Sequence, residues 1–384
     1  MSSGSTINVA VVGLGFGEDF VPLYLAHPGV GEVGIVEPSA ERLEEVGSRY
    51  GITDRYSRYE DVLVDDKWDA VHIAAPVSYH ANYSVAALEA GKHCACAVPM
   101  ATELSEIDAV VEAQRESGKN YMMMETTVYG REFRAIEKLY RSGDLGELTM
   151  YRGFHIQNLD GYPTYWLGYP PMKYLTHALS PLLQLTDSTV REVVAYGTGR
   201  LAQDRVGQYD NPFPAEVGLF HLDKTDVVAD ITMSFFQTAR SYQEGYSIYG
   251  DRASVEWPDL EGHPLRVFQL QPLDPDGPTT GLRGRRSTID VLRLDDGVGE
   301  LPTELIRFVH DYAVAPADGR PLLRRLAGHG GSHPHLVHEF VSSVIEGRAP
   351  AIDVNRSAAW TAPGICAHHS ALHGGEPTMV PQYR

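Results

Sequence analysis

Residues 7–20 read INVAVVGLGFGEDF, and 21–27 continue as VPLYLAH. The apolar run at 7–12, rich in β-branched residues, predicts a buried strand, the glycines a tight turn, and 21–27 a helix. Gly13 permits the turn, and Gly15 lets backbone approach a pyrophosphate at a helix N-terminus, so this is a candidate dinucleotide-binding strand-turn-helix. The G-x-G-x-x-G pattern wants a third glycine where this chain has Glu18, and Gly17 is only a partial substitute. Phe16, between Gly15 and Gly17, joins them as a candidate cofactor contact. The next strand, VGIVE at 33–37, ends in Glu37, some 20 residues after Gly17. A carboxylate there receives the adenosine ribose hydroxyls and repels a 2′-phosphate, which points to NAD. NADP is the second choice, because Arg42 is close by and an arginine can accommodate that phosphate.

Outward from this unit, strands and helices alternate: a helix over ERLEEVGSRYG, the strand AVHIAA (70–75), a helix from His80 to about Ala90, the strand HCACAV (93–98), a helix at Glu103–Ser117, and YMMME (121–125). The alternation predicts a parallel sheet with crossover helices on both faces. Past Met124 come a helix at 131–142 and longer strand-like runs, LTMYRGFHI, VREVVAYGTG and DVVADITMSFF, which predict a largely antiparallel sheet. The expected division is a Rossmann domain at 1–125 and a second α/β domain at 126–384. Segments 272–288 and 315–332 read as exposed excursions, 335–347 as a helix, and the tail MVPQYR as packing back on the body.

The composition narrows the function classes. A formal net charge of −19 over 384 residues opposes nucleic acid and anionic membranes as partners, since both need a positive surface. The three cysteines make no disulfide framework or zinc spacing, the N-terminus has no secretory pattern, and no long apolar run follows. A cytoplasmic protein with a small-molecule substrate is expected.

The runs AVHIAAPVSYH (70–80) and ALEAGKHCACAVPMATELSEID (87–108), with GDLGEL (143–148), SIYGDRASVEW (247–257) and HEFVSSVIEGRAPAIDV (338–354), resemble the glucose-fructose oxidoreductase / inositol dehydrogenase (Gfo/Idh/MocA) family. The resemblance implies a Rossmann domain followed by an α/β domain whose open sheet carries the substrate site and oligomer contacts. It also implies a homo-oligomer, dimer or tetramer. By resemblance Ala74, Ala75 and Pro76 border the nicotinamide half of the cofactor, with His80 close by and Ala97 and Val98 following the fifth strand. The family usually has Glu-Lys-Pro there, and its lysine helps move the substrate proton. Here the tripeptide is Ala97-Val98-Pro99, and Val98 carries no acid or base. In the family's Asp-x-x-x-His element, Lys173 replaces the aspartate and His177 remains.

PPMKYLTHALSP (170–181) resembles a branch that includes NAD-dependent glycoside hydrolases, where Tyr-x-Thr-His opens a helix beside the nicotinamide. Tyr174, Thr176 and His177 match. On a helix, Lys173 and His177 would share a face with Tyr174. His177 is the expected base, with Tyr174 or Lys173 as helper. The same branch has a His-Gly-Gly loop near its substrate, and by this resemblance His329 and His333 are candidate substrate contacts. Tyr165 and Trp166 form a candidate aromatic wall, and Arg240 and Tyr242, at a strand end, resemble a pocket-lining stretch of the same branch. Metal is not expected, since no acidic ligand or closed spacing completes a set with His335, His338, His368 or His369. Three readings follow: an NAD-dependent oxidoreductase on a sugar, cyclitol or glycoside alcohol; an NAD-dependent glycosidase that recycles its cofactor; and a non-catalytic dinucleotide- or sugar-binding protein.

Overall fold

The computed structural model describes residues 6–260, 262–272 and 285–383. Most of the 272–288 excursion, the first five residues and the last lie outside them. Two compact units are formed. One is Met1–Arg131 with Asp296–Ile365 and Pro381–Arg384; the other is Glu132–Asp295 with Cys366–Val380.

The first unit is built on strands buried on both faces. Among the described residues its sheet has β1 (Ile7–Val12), β2 (Val30–Val36), β3 (Arg55–Tyr56), β4 (Ala70–Ile73), β5 (His93–Cys96) and β6 (Tyr121–Met123), all parallel, in the order β3-β2-β1-β4-β5-β6. Val9, Ala10 and Val11 are all buried, as a strand with helices on both sides requires. The connecting helices are α1 (Val21–Ala26), α2 (Ala40–Tyr50), α3 (Tyr59–Leu63), α4 (His80–Glu89) and α5 (Leu104–Ser117). Their ends are encoded locally: the Ser39 hydroxyl accepts from the Arg42 amide at the head of α2, and Gly51 closes it at φ 67°. The strand order reverses between β1 and β4, where such sheets open a crevice for ligands.

The compact units do not follow the contiguous split at residue 125. Residues 296–365 fold with the first sheet, because they carry apolar surface it needs. The helix at His333–Glu346 buries Leu336, Val337, Phe340 and Val341, and Asn120 donates to Ser343 Oγ at 3.1 Å and to the Arg348 carbonyl at 2.8 Å.

In the second unit α6 (Arg131–Arg141, its first residue lying in the other unit) leads to β7 (Leu148–Gln157), α7 (Thr176–Thr186), β8 (Val190–Thr198), β9 (Ala215–Leu222), β10 (Val228–Ser234), β11 (Tyr242–Gly250), β12 (Ala253–Glu256), β13 (Arg266–Leu270) and β14 (Ser287–Val291). The short strand at Thr378–Met379 pairs with β8. Neighbouring strands are antiparallel except β7 and β10, which are parallel, so the expected open sheet is largely antiparallel with one exception. α7 lies directly on β7: Tyr151 Oη donates to the Ala178 carbonyl at 2.7 Å, and any side chain at Gly153 would collide with that carbonyl. This contact sets the height of the α7 head over the sheet.

In the first unit His72 of β4 is fully buried against Tyr24, and its pKa falls to about 3 through burial and the nearby His80. His27 falls to about 4 through burial and the neighbouring His338. Both rings are neutral when folded but protonate near the ordinary value when unfolded, so the unfolded chain binds the extra protons at low pH. Stability should therefore fall as pH drops from about 6.5 to about 4, by up to about 1.4 kcal/mol per pH unit for each ring. Hydrogen-exchange protection of the β1 and β4 amides checks this, and protection unchanged across the window would contradict it.

Candidate functional site

In the first unit Gly13 takes φ +87°, and a Cβ there would meet the Ala74 carbonyl oxygen at 2.8 Å and Ala75 Cα at 2.9 Å. Only glycine lets the ends of β1 and β4 approach this closely. At Gly15 a Cβ would meet nothing within 4 Å, leaving open space above the turn. At Gly17 a Cβ would lie 3.0 Å from Val11 Cγ1 and 3.1 Å from Ala74 Cβ. Gly17 thus does the close-packing work of the third glycine one position early, and Glu18 is buried instead. Phe16 is 39% exposed beside the open space. The turn fits a pyrophosphate, and the residues that would hold a dinucleotide are these glycines and Glu37.

Glu37 is fixed by the same loop: its carboxylate accepts from the Leu14 amide at 3.0 Å and the Ser39 amide at 3.1 Å. Arg42 donates to the Leu14 carbonyl, to Glu45 and to Glu18. His80 is buried with a carbonyl on each ring nitrogen, Pro99 at 2.7 Å and Ala75 at 2.9 Å. It ties the half-buried Ala74–Pro76 segment to the one following β5, where Ala97 and Val98 are nearly buried. Burial opposes charge on this ring, but Cys96 and the two carbonyls hold its pKa up at about 8.

In the second unit an aromatic and acidic cluster surrounds the head of α7. The rings of Tyr174 and His177 are 5.3 Å apart, and His155, at the end of β7, lies 5.9 Å from Tyr174 and 5.8 Å from His177. His155 Nε2 pairs with Gln157 Oε1 at 3.0 Å, and Gln157 Nε2 donates to Tyr162 Oη at 2.7 Å. That leaves His155 Nδ1 facing Glu244 Oε2 at 3.7 Å, and Tyr242 Oη donates to the same carboxylate oxygen at 2.8 Å. The register explains the meeting: β11 runs antiparallel to β7 with Tyr242 opposite Gln157 and Glu244 opposite His155. His177 is 3% exposed, whereas Tyr174 is half-buried and the more open of the pair.

Behind the cluster, the fully buried Glu216 of β9 accepts from the Met172 amide at 2.8 Å and pairs with His368 Nδ1 at 2.7 Å. It anchors the turn Pro171–Tyr174 that leads into α7.

The other nominated residues divide between the units. Lys173 is half-buried on that turn, which precedes the first α-helical residue, so the expected i to i+4 helical face with His177 does not form. Trp166 joins the cluster at 5.3 Å from Tyr174, with Tyr165 beside it at 5.6 Å. Tyr242 opens β11 rather than ending a strand, and Arg240 donates to the carbonyls of Tyr242 and Asp259. His329 and His333 belong to the first unit, 6.1 and 5.6 Å from Phe16. His333 is 5% exposed and packs on Phe20 at 4.5 Å, which makes it a support of the glycine-rich turn.

His155, Gln157, Glu244, Glu216 and His368 were not anticipated. The alternation in FHIQ and YQE puts each pair on one strand face, but which strands pair is not written in either segment. Among the described residues no group of three or more His, Cys, Asp or Glu is arranged to hold a metal ion, and no helix is long and apolar enough to cross a membrane.

The profile of the Gfo/Idh/MocA oxidoreductase family, NAD-binding Rossmann fold, matches residues 7–125. A "Glycosyl hydrolase family 109 protein" of Streptomyces coelicolor is 26% identical, covering 98% of this chain and 83% of the relative. Among solved structures, levoglucosan dehydrogenase in complex with NADH and levoglucosan has a TM-score of 0.75 at 19% identity, covering 98% of this chain and 100% of that one. The myo-inositol 2-dehydrogenase of Lactobacillus plantarum has a TM-score of 0.71 at 17% identity, again with 98% and 100% covered.

Glu216→Gln would replace an acceptor of two donors by a group with one acceptor oxygen and a competing amide donor. It should cost the second unit roughly 2–4 kcal/mol in a denaturant titration. A cost below about 0.5 kcal/mol, the level of ordinary surface changes, would contradict the anchoring role.

Proposed function

We propose that this chain, whose residues 7–125 match the profile of the Gfo/Idh/MocA oxidoreductase family's NAD-binding Rossmann fold, oxidises or reduces a secondary alcohol of a sugar, cyclitol or glycoside. The observation that carries the reading is the His155–Tyr174–His177 cluster with the Glu244 carboxylate behind it. Bound NAD supplies the acceptor for the carbon-bound hydrogen, as hydride. The chain's own task is then the hydroxyl proton. Tyr174, the more open ring, meets the hydroxyl, and His177 takes its proton, with Lys173 on the same turn as a second helper. Glu244, 3.7 Å from His155 Nδ1, lowers the cost of positive charge on that ring, because a carboxylate close to an imidazole favours the protonated form. This replaces the lysine that Val98 lacks. Trp166 and Tyr165 offer ring faces for a sugar to stack on.

The protein is proposed to work in the cytoplasm, consistent with three buried, unpaired cysteines. It is also proposed to act as a homo-oligomer. Tyr196, Val217, Leu219 and Met379 are exposed on the second sheet, the apolar surface a second copy would cover.

The full-length likeness to glycosyl hydrolase family 109 proteins favours one alternative, a glycosidase that oxidises, eliminates, hydrates and returns the hydride. NADH yield separates the two. Purified chain supplied with NAD and a panel of polyols, aldoses and glycosides should give one NADH per alcohol oxidised. Reducing sugar released without net NADH would move the assignment to the glycosidase.

On whichever substrate is found, His177→Ala should lower kcat by about 10²–10⁴ with KM little changed. An unchanged kcat would remove His177 from the mechanism.

A further inference from the structure

Arg42 stands on the first turn of α2, just after the β2 end that carries Glu37. From there an arginine can hold an adenosine 2′-phosphate in folds of this kind. Here each of its three guanidinium nitrogens is already donating: Nε to the Leu14 carbonyl at 3.3 Å, Nη1 to Glu45 at 3.1 Å, and Nη2 to the Leu14 carbonyl at 3.0 Å and to Glu18.

Glu18 is only 2% exposed. Its second oxygen takes Arg49 from α2 and Arg325 from the strand Leu323–Arg325, and Tyr50 Oη lies 3.4 Å away. Arg325 also reaches Asp19 at 3.4 Å. This buried carboxylate is held on both oxygens by three guanidiniums. Drawing Arg42 away therefore breaks a charge pair where little water can replace it.

We propose that Glu18, buried where the nucleotide pattern places its third glycine, is a cofactor-specificity residue that withholds Arg42 from a 2′-phosphate. NADP is then refused twice. Glu37 repels its phosphate, and the cation that would receive the phosphate is bound elsewhere. Exchanging Glu37 alone does not make an NADP site, because Arg42 remains engaged.

The inference rests on dinucleotide binding by the first unit and on nothing about the substrate. Its test is affinity for NADH and NADPH, by calorimetry on the full chain without substrate, for the parent, Glu37→Ser, Glu37→Ser/Glu18→Gln and Glu37→Ser/Arg42→Met. Glu37→Ser should weaken NADH and leave NADPH within about threefold of the parent, whereas adding Glu18→Gln should strengthen NADPH about tenfold or more, the scale of a charge-assisted arginine–phosphate contact. Adding Arg42→Met to Glu37→Ser should change NADPH affinity by the same factor as NADH affinity, to within about threefold, since both cofactors lose the Leu14 contact alike and a sequestered arginine contributes little to the phosphate. Arg49 and Arg325 keep Glu18 neutralised in that variant, so the arm stands even if Glu18→Gln fails to fold. The proposal is overturned if Glu37→Ser alone binds NADPH at least about tenfold more tightly and Arg42→Met abolishes the gain, for Arg42 was then available all along. Failure of this kind leaves the hydride-transfer reading intact, whereas a parent chain that binds no NADH overturns both.

Discussion

The left-handed turn at Gly13, pressed onto the backbone of Ala74 and Ala75, is the constraint from which the first unit is organised. It brings the ends of β1 and β4 together at the point where strand order reverses. Glu37 and Arg42 then grip the next residue from opposite sides, the carboxylate at the Leu14 amide and the guanidinium at the Leu14 carbonyl. The peptide after the turn is thereby held before any ligand arrives. Such preorganisation reduces the ordering cost of binding a flexible dinucleotide.

The second unit solves a different problem. Its candidate site side chains come from three segments distant in sequence, and two backbone contacts bring them into one cluster. Gly153 lets α7 rest on β7, placing His177 and Tyr174 above the sheet, and the β7–β11 register sets Glu244 opposite His155. Where the resemblance would place a proton-moving lysine after the fifth strand, this chain has Val98. Burial of Val98 shows that the position has become part of the packing. The cluster concentrates titratable rings instead around a carboxylate.

Much of this was legible in the residues. Strong periodicity and glycine turns carried the parallel sheet, and spacing from Gly17 located Glu37. Hidden from the sequence were features that depend on pairing across long separations. Glu18 read as a failed glycine because its partners, Arg49 and Arg325, lie far along the chain. His155 and Glu244 read as ordinary strand residues until the register joined them. Residues 296–365 fold with the first sheet, a return that no local pattern announces. The helical face expected of Lys173 and His177 does not form for a local reason: a tight turn occupies 171–174, and helical spacing does not apply there.

The central claim is that open space above Gly15 is where the pyrophosphate lies, and Gly15→Leu tests it most directly. A Cβ at Gly15 touches no protein atom within 4 Å, so the variant should melt within about 2 °C of the parent when ligand-free, as surface changes do. Calorimetric titration with NADH should show affinity reduced about a hundredfold or more, the loss of close backbone contact with the phosphates. Equal NADH affinity in Gly15→Leu and the parent would contradict the account.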